Sequence, residues 1–442
     1  MAIVKRLAIS LIMLFFFING IVFSETGDPA IDTIIKKMEE KGLVGKDEVK
    51  KLEDDVKKAV KERNKSMAKD MKLPFEVKMR FQPRFDYGDL LIDGNNKYTN
   101  ESDLYMRRVR LTVSKEFEKP PFGKKLWTAI TLDADKLEMD FDKGARKDPD
   151  KKININTMEA GWSFFDELGI YLGYDKPPYY RNTSSGKLLM LDDPSVISAS
   201  DKLTGGSQVH FRLFGQFAKG VVKYTLGYGE GANSLSKVKD IDSAATAVNK
   251  RPWGDLFTAR IEFAPPGLVE AGWDDTNMGK ENFLALGIGT AISGKKKYAA
   301  GAGNPNETLS TNVFNMDLSG RYKFKEASIT GSAGYMTLKK NYKNKKDESP
   351  RGYYIQAGFL VPGKILFGQL EPVARYEVYD QDKANKTKTK EKTFAMGFNY
   401  YFSKHNIKMG YNFVQTKYEQ DVRPAANDGT RKVHEVQFQF EF

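Results

Sequence analysis

Residues 433–442, VHEVQFQFEF, alternate apolar and polar side chains up to the last position of the sequence. Successive side chains of an extended strand point to opposite faces. One face would carry Val436, Phe438, Phe440 and Phe442. The other would carry Glu435, Gln437, Gln439 and Glu441. Chain termini usually fray unless they are tied down, so the pattern predicts a terminal strand that is paired in a sheet with one apolar face.

Residues 1–24 have the order of a secretory signal, with Lys5 and Arg6 first, then an apolar run from Leu7 to Phe23, and the small residue Ser24 last. We predict a signal peptide that is cleaved after Ser24. A membrane anchor is disfavoured because the run is shorter than the ~20 apolar residues that a spanning helix needs.

The composition excludes several classes of chemistry. The chain contains no cysteine, so it has no disulfide, thiol nucleophile or thiol-based metal site. Its formal net charge of +12 becomes +10 when Lys5 and Arg6 are removed with the signal. In an exported protein this basic balance favours anionic solutes or a lipid surface as partners, rather than nucleic acid.

Residues 25–72 are rich in Lys and Glu and carry apolar residues at helical spacing. The apolar stripes are Ile31, Ile34, Ile35 and Met38, then Val49, Leu52, Val56 and Val60. They predict a periplasmic segment of two short amphipathic helices. The second stripe is compatible with a self-associating coiled coil or with a plain solvated helix.

From residue 73 to residue 442 the apolar spacing changes to a period of two, which is typical of strands. Most of the alternating segments run ten to thirteen residues. That length is close to the ~9–11 residues of a membrane-spanning strand and exceeds the ~5–6 usual in soluble sheets. Sixteen strands are predicted, at about 75–85, 104–117, 126–138, 154–164, 168–175, 207–217, 219–229, 255–264, 281–293, 312–323, 327–337, 351–361, 368–380, 391–402, 405–417 and 431–442.

The connections between these strands alternate between brief turns, such as 403–404, and long polar loops, such as 176–206. An up-and-down barrel has one short-turn end and one long-loop end. The connection 264–280 does not fit, because its place requires a short turn. The predicted fold class is all-β, a transmembrane antiparallel β-barrel of about 16 strands over residues 73–442.

The cost of placing charge in lipid decides which face of each strand points outward. Reversing the first strand would put Lys78, Arg80 and Arg84 in hydrocarbon, at roughly 2–4 kcal/mol for each basic residue near the midplane. The side chains predicted to face lipid include Phe314, Met316, Leu318, Tyr322, Phe394, Met396, Phe398, Tyr400 and Phe402. The basic side chains predicted to line the lumen are Lys78, Arg80, Arg84, Arg108, Arg110, Arg212, Lys223, Arg260, Arg321, Lys323, Arg375 and Lys408.

Acidic side chains are predicted on the same inner face, namely Glu116, Asp133, Asp135, Glu262, Asp317 and Glu377. The mixture predicts a polar, water-filled passage and weakens any expectation of strong anion selectivity. Two long loops carry lysine clusters, at 295–297 and between Lys339 and Lys346. These lysines are expected to concentrate anions at the mouth, to bind lipopolysaccharide phosphates, or simply to remain solvated.

Three stretches resemble the phosphate-selective porin O/P family of Gram-negative outer membranes. They are YMRRVRLTVSKEF (105–117), LGIYLGYDKPPYYRN (168–182) and FTARIEFAPPG (257–267), within a weak likeness over about 28–442. The resemblance implies a sixteen-stranded barrel, usually a homotrimer, whose third long loop folds inward to narrow the pore. Here that loop is about 178–206.

The same resemblance implies that Arg107, Arg108 and Arg110 lie on the anion path. Strand parity favours the lumen for Arg108 and Arg110, but it places Arg107 with Val109, at an interface or near the rim. In the inward loop, Lys187 and Lys202 are the candidate constriction residues. Three acidic residues, Asp192, Asp193 and Asp201, share that loop and weaken the expectation of phosphate specificity.

An enzyme is not expected. The three histidines, His210, His405 and His434, fall in different predicted strands without a serine or aspartate motif that would indicate a triad. The stretch GTAISGKK (289–296) ends in Lys where a phosphate-binding loop needs Ser or Thr. No metal site or cofactor is predicted.

The sequence therefore predicts an exported outer-membrane porin for passive diffusion of small hydrophilic solutes, with a preference for anions of the phosphate type. Basic side chains would replace part of an anion's hydration in a pore narrowed by one loop. One alternative is a general or cation-tolerant porin. Alternatives of other classes are an exported β-rich adhesin or binding module and an outer-membrane hydrolase.

Overall fold

The computed structural model describes residues 75–92, 98–117, 120, 122–138, 154–181, 188–204, 207–229, 256–268, 281–293, 308–342, 346–382, 389–419 and 429–442. The predicted signal peptide (1–24) and helical segment (25–72) lie outside these residues. The chain divides into two units between Phe75 and Glu76, and the second unit contains every strand described below.

The strands are β1 (Glu76–Ile92), β2 (Tyr98–Phe117), β3 (Lys125–Glu138), β4 (Asn154–Ser163), β5 (Gly169–Asp175), β6 (Gln208–Phe217), β7 (Val222–Gly229), β8 (Leu256–Phe263), β9 (Phe283–Ser293), β10 (Thr308–Phe324), β11 (Ala327–Tyr342), β12 (Arg351–Leu360), β13 (Gln369–Asp380), β14 (Lys390–Ser403), β15 (Ile407–Tyr418) and β16 (Thr430–Glu441). A 3₁₀ turn, Ala218–Gly220, joins β6 to β7.

Each strand pairs with its neighbour in the sequence, and β1 pairs with β16 to close the barrel. All the pairings are antiparallel, and Arg80 is opposite Glu441 at the closing seam. Met79 and Phe442 exchange two backbone hydrogen bonds there, at 3.0 and 2.9 Å. Closure gives every strand a partner on both sides, as hydrocarbon requires. The predicted sixteen-stranded antiparallel barrel is confirmed.

Several strands extend further than the alternation predicted. β1 runs to Ile92 and β2 begins at Tyr98, both between the first two predicted strands (75–85 and 104–117), and β11 runs to Tyr342. These extensions are paired as ladders, Ile92 with Tyr98 and Thr308 with Tyr342. Lipid contact imposes strict apolar alternation, and backbone pairing continues here beyond that alternation. The alternating pattern in the sequence therefore ends before the strands end.

The barrel wall is apolar outside and polar inside. Phe314, Met316, Leu318 and Tyr322 are exposed on β10, whereas Asn315, Asp317, Ser319 and Arg321 between them are at most 5% exposed. On β16, Gln437 and Gln439 are buried inside, while Phe442 is 64% exposed. A soluble β-protein would bury the apolar set instead, so the alternative of an exported soluble binding module is wrong.

Helix α1 (Ser195–Thr204) lies in the connection between β5 and β6. Within the described part of the chain, every helix is too short or too polar to cross a membrane.

Candidate functional site

The connection between β5 and β6 folds into the barrel. We call residues 176–204 the inward loop, of which 176–181 and 188–204 are described. Tyr179, Val196 and Ile197 of this loop form a buried cluster against the inner wall. The wall residues of the cluster are Leu256, Ala291, Val313, Met336, Leu338 and Tyr354. Helix α1 packs on β10 to β13, so one side of the lumen is filled by the loop.

Glycines on the wall strands make room for this loop. A Cβ atom at Gly289 of β9 would lie 1.9 Å from the backbone oxygen of Tyr179. At Gly358 of β12 it would meet the Leu189 side chain at 2.6 Å, and at Gly410 of β15 it would meet Leu191 at 2.6 Å. The wall is therefore recessed where the loop's backbone and leucines are seated.

Polar contacts also hold the inward loop to the wall. Asn399 Nδ2 donates to the backbone oxygen of Leu189 at 2.9 Å. Ser195 donates to Glu377 through both its backbone N–H (3.0 Å) and its Oγ (2.8 Å), which caps the start of α1. Arg181 donates to Ser319 Oγ. These bonds satisfy loop groups that water would otherwise have to solvate.

Asp192 lies where several wall arginines meet the loop. Arg84 Nη1 donates to its Oδ2 at 2.9 Å, and Arg107 Nη2 donates to its Oδ1 at 2.5 Å. Arg375 Nη1 donates to its backbone oxygen at 2.6 Å. Removal from bulk water favours the neutral acid, but Arg107 and Arg84 outweigh this and hold the pKa of the Asp192 carboxyl below its usual range.

The predicted placement of Arg107 at an interface or near the rim, on the face of Val109, is wrong. The pairing of β1 with β2 shifts by one residue at this point, since Gln82 is opposite Arg108 and Pro83 is opposite Met106. Arg107 is the extra residue of this β-bulge, which re-aims its side chain. It donates to Asp192, to the backbone oxygen of Leu191 at 2.7 Å and to Gln437 at 3.1 Å, all in the interior.

Most of the basic side chains predicted for the lumen form an ion pair with an acidic side chain of the same strand or of a nearby strand. Arg84 is paired with Asp86 (2.7 Å) and Glu435 (2.6 Å) in addition to Asp192. The other pairs are Arg80 with Glu441 at 2.5 Å, Arg110 with Asp133 at 2.9 Å, Arg212 with Asp175, Arg260 with Asp317 at 2.7 Å, Lys223 with Glu262 at 4.0 Å and Arg375 with Glu377 at 3.6 Å. This pairing cancels much of the formal positive charge of the lumen.

The remaining predicted residues occupy varied positions. Arg108 is on the inner face opposite Gln82, and Lys408 is buried inside β15. Arg321 lies over the Phe283 ring at 4.8 Å and donates to Thr330. Lys78 pairs with Glu76 at an exposed strand end, and Lys323 is exposed beside the β10–β11 turn. Lys187 and the side chains of Asp135, Asp201 and Lys202 lie outside the described residues.

A second polar cluster lies on β5 and β6. His210 Nε2 lies 2.7 Å from Asp175 Oδ1, and Arg212 Nε is 2.6 Å from the same nitrogen. The His210 and Tyr171 rings stack, with centroids 5.7 Å apart. Strand parity alone could not indicate Asp175 or Tyr171 as neighbours of His210. The described residues include no group of three His, Cys, Asp or Glu side chains that could hold a metal ion.

Comparison with known proteins identifies relatives over most of the chain. A sequence model of the family described as phosphate-selective porin O and P matches residues 77–442. An uncharacterized protein of Aquifex aeolicus (strain VF5) is 36% identical over 430 residues, covering 95% of this chain and 96% of that protein.

Solved structures of low sequence identity share the fold. Pseudomonas putida OprB at high pH is 10% identical, covers 86% of this chain and 96% of its own, and gives a TM-score of 0.57. Salmonella typhi OmpF in complex with daunomycin is 12% identical, with coverage of 83% and 97% and a TM-score of 0.53. The anion-selective porin from Comamonas acidovorans is 14% identical, with coverage of 83% and 99% and a TM-score of 0.50.

The closed barrel, its lipid-type exterior and its inward loop define an outer-membrane channel of the porin class. The chain belongs to the phosphate-selective porin O and P family. It is an outer-membrane porin, and the family suggested by the three sequence stretches is confirmed.

Proposed function

We propose that this porin passes small hydrophilic solutes with a preference for anions of the phosphate type, through a passage narrowed by the inward loop. The supporting observation is the convergence of Arg84, Arg107 and Arg375 on Asp192. The guanidinium groups of Arg84 and Arg107 bind its carboxylate, and Arg107 and Arg375 donate to the neutral backbone oxygens of Leu191 and Asp192. These guanidinium groups can exchange such hydrogen bonds for bonds to an entering anion, and the anion is stabilised by them.

The acidic partners along the wall limit the strength of this preference. Glu435, Asp86 and Glu377 lie close to the same arginines. An entering phosphate must compete with these carboxylates for guanidinium hydrogens. Weak, repeated binding of this kind permits ions to leave as well as to enter, so we propose moderate anion preference with passage rather than tight capture.

We propose that residues 1–24 are a cleaved signal peptide, that residues 25–72 form a periplasmic helical segment, and that the barrel (73–442) assembles as a homotrimer. Outer-membrane lipid and lipopolysaccharide are its proposed lipid partners, and we propose no catalytic activity, cofactor or nucleic-acid partner. Mass spectrometry of the mature N-terminus and cross-linking in the membrane test the first and third of these.

The zero-current potential across a potassium chloride gradient in a planar bilayer tests the proposed selectivity. We expect a chloride-directed potential and a reduced chloride current when phosphate is added. Arg108→Gln with Arg110→Gln should weaken both effects. Lys115→Gln is the matched control, because Lys115 lies over the Phe117 ring on the outer face. A cation-directed potential from the folded barrel would establish the general or cation-tolerant porin instead.

A further inference from the structure

Three lysines stand together on the outer face of β14, β15 and β16. Lys392 and Lys417 are directly opposite each other in the β14–β15 ladder. Lys432 of β16 is opposite Gln415, which makes it a diagonal neighbour of Lys417. Their inner-facing neighbours Thr393, Thr416 and Val433 are buried in the lumen wall, whereas all three lysines are exposed. We call these three residues the lysine triad.

The lysine triad lies at the long-loop end of the barrel. Lys392 is near the start of β14, Lys417 near the end of β15 and Lys432 near the start of β16. Phe394, two residues further into β14, is 44% exposed on the same outer face. In outer-membrane barrels the long loops are extracellular, so the triad stands at the level where the outer leaflet's head groups meet its hydrocarbon.

Within the described residues, none of the three lysines forms an ion pair with a carboxylate. Like charges that are directly opposite in a ladder destabilise it, and the Lys392–Lys417 pair is of this kind. The nearest acid on β1, Asp89, uses its Oδ2 to accept from the backbone N–H of Lys432 at 2.7 Å. A mobile or lipid-borne anion would remove the repulsion.

An aromatic shelf lies directly beneath the triad on the outer face. His434 follows Lys432 by two positions on β16, and its Nδ1 is 2.9 Å from the Tyr411 hydroxyl oxygen. The rings of Phe413 and Tyr87 flank it, with centroids 5.0 and 6.3 Å away. Aromatic residues with a polar tip are typical of the membrane interface, so this surface combines cations above with acyl-chain contact below.

We propose that Lys392, Lys417 and Lys432 form a docking site for the phosphate groups of an outer-leaflet lipid, with the shelf of Tyr87, Tyr411, Phe413 and His434 against its acyl chains. This site locates the lipopolysaccharide partner on the barrel, and it rests on the proposal that lipopolysaccharide is a partner of this porin. Three adjacent cations that form no ion pair among the described residues match the charge of a bis-phosphorylated glycolipid head group. The site is on the outside of the barrel, separate from the anion passage.

The test measures lipid binding to the folded full-length barrel in detergent, by native mass spectrometry with bis-phosphorylated lipid A as the probe. We expect the triple variant K392Q/K417Q/K432Q to lose at least about tenfold in affinity, because each lysine near an anionic lipid surface contributes severalfold. Lipid A lacking both phosphates should bind wild type and variant equally weakly. The K392R/K417R/K432R variant should retain the wild-type affinity.

The matched control removes three lysines from the short-turn end, in the variant K219Q/K325Q/K404Q. These lysines are exposed in the turns after β6, β10 and β14. The docking site is overturned if K392Q/K417Q/K432Q binds lipid A as tightly as wild type, or if the control loses as much affinity. Zero-current potentials of the same samples separate this proposal from the pore proposal, because unchanged selectivity should accompany the loss of lipid binding.

Discussion

Arg107 of β2 and Asp192 of the inward loop are joined by a 2.5 Å hydrogen bond, although strand parity alone would place Arg107 on the face of Val109, at an interface or near the rim. The β-bulge at Arg107, opposite Gln82 and Pro83 of β1, turns the side chain inward. This contact, together with the bonds from Arg84 and Arg375, attaches the loop to two separate parts of the wall. The bulge is therefore required for the contact by which Arg107 holds the inward loop in the lumen.

The inward aim of Arg107 can be tested by cysteine accessibility, because the chain has no cysteine of its own. We expect R107C to react with a water-soluble, charged methanethiosulfonate and to change single-channel conductance when it does. V109C is the control, since Val109 is opposite Phe81 on the outer face and should remain unmodified. An unreactive R107C in a conducting barrel would contradict the bulge geometry.

Asp192→Asn should loosen the loop and make the passage more anion-selective. The amide keeps the size of the side chain but removes the charge that Arg84 and Arg107 share. Loss of hydrogen bonds to charged groups costs about 1.5–3 kcal/mol, here in the stability of the docked loop. The measurements are the zero-current potential, expected to shift further toward chloride, and hydrogen exchange of residues 188–204, expected to accelerate.

Asp193→Asn provides the matched control for this substitution. Asp193 is the adjacent acid, it is half-buried, and within the described residues it forms no ion pair. It should change the net charge equally and leave exchange in the loop unaltered. Equal acceleration in both variants would show that charge alone, and no specific contact of Asp192, holds the loop.

The depressed pKa of Asp192 predicts how loop docking depends on pH. Because the folded-state pKa is lowered, the stabilisation is fully present above the ordinary aspartate value of about 3.9 and is lost as the pH falls through the depressed value. Protection of residues 188–204, corrected for intrinsic exchange rates, should therefore persist from neutral pH down to about pH 4. Loss of protection near pH 5 or 6 would require a different titrating group.

Gly289→Ala should displace the inward loop, because its Cβ would lie 1.9 Å from a backbone oxygen that cannot rotate away. Overpacking of this kind costs about 1–3 kcal/mol, and the pore should widen as Tyr179 withdraws. Gly331→Ala is the control, since its nearest neighbour would be 3.4 Å away. Thermal unfolding followed by gel migration, together with single-channel conductance, distinguishes the two variants.

The sequence was sufficient to predict the barrel because lipid imposes a period of two on each strand independently of the others. Phe314 and Met316 could be assigned outward, and Asp317 inward, from their immediate neighbours alone. The bulge at Arg107 could not be predicted in this way, because it is a property of the register between two strands. The ion pair between Arg84 and Asp192 could not be predicted either, because these residues are 108 positions apart in the sequence.

The extensions of β1, β2 and β11 were missed for a related reason. Beyond the hydrocarbon no energetic rule separates apolar from polar faces, so a paired strand such as Tyr98–Thr99 has the composition of a loop. The recesses at Gly289 and Gly410 could not be predicted from the sequence either, since glycine occurs in strands for several different reasons. Only the position of the loop shows what these glycines accommodate.

The seam between β1 and β16 also affects the rate of folding. Arg80 and Glu441, which are hydrogen-bonded across it, are separated by 361 residues of sequence. Contacts between such distant segments form slowly, because the entropy of closing the loop must be overcome before the contact contributes. The other fifteen strand pairings join strands that are consecutive in the sequence, so they can form locally. The pairing of β1 with β16 cannot form in this way. Closing the seam should therefore limit the rate of barrel formation, and opening it should be the first step of unfolding.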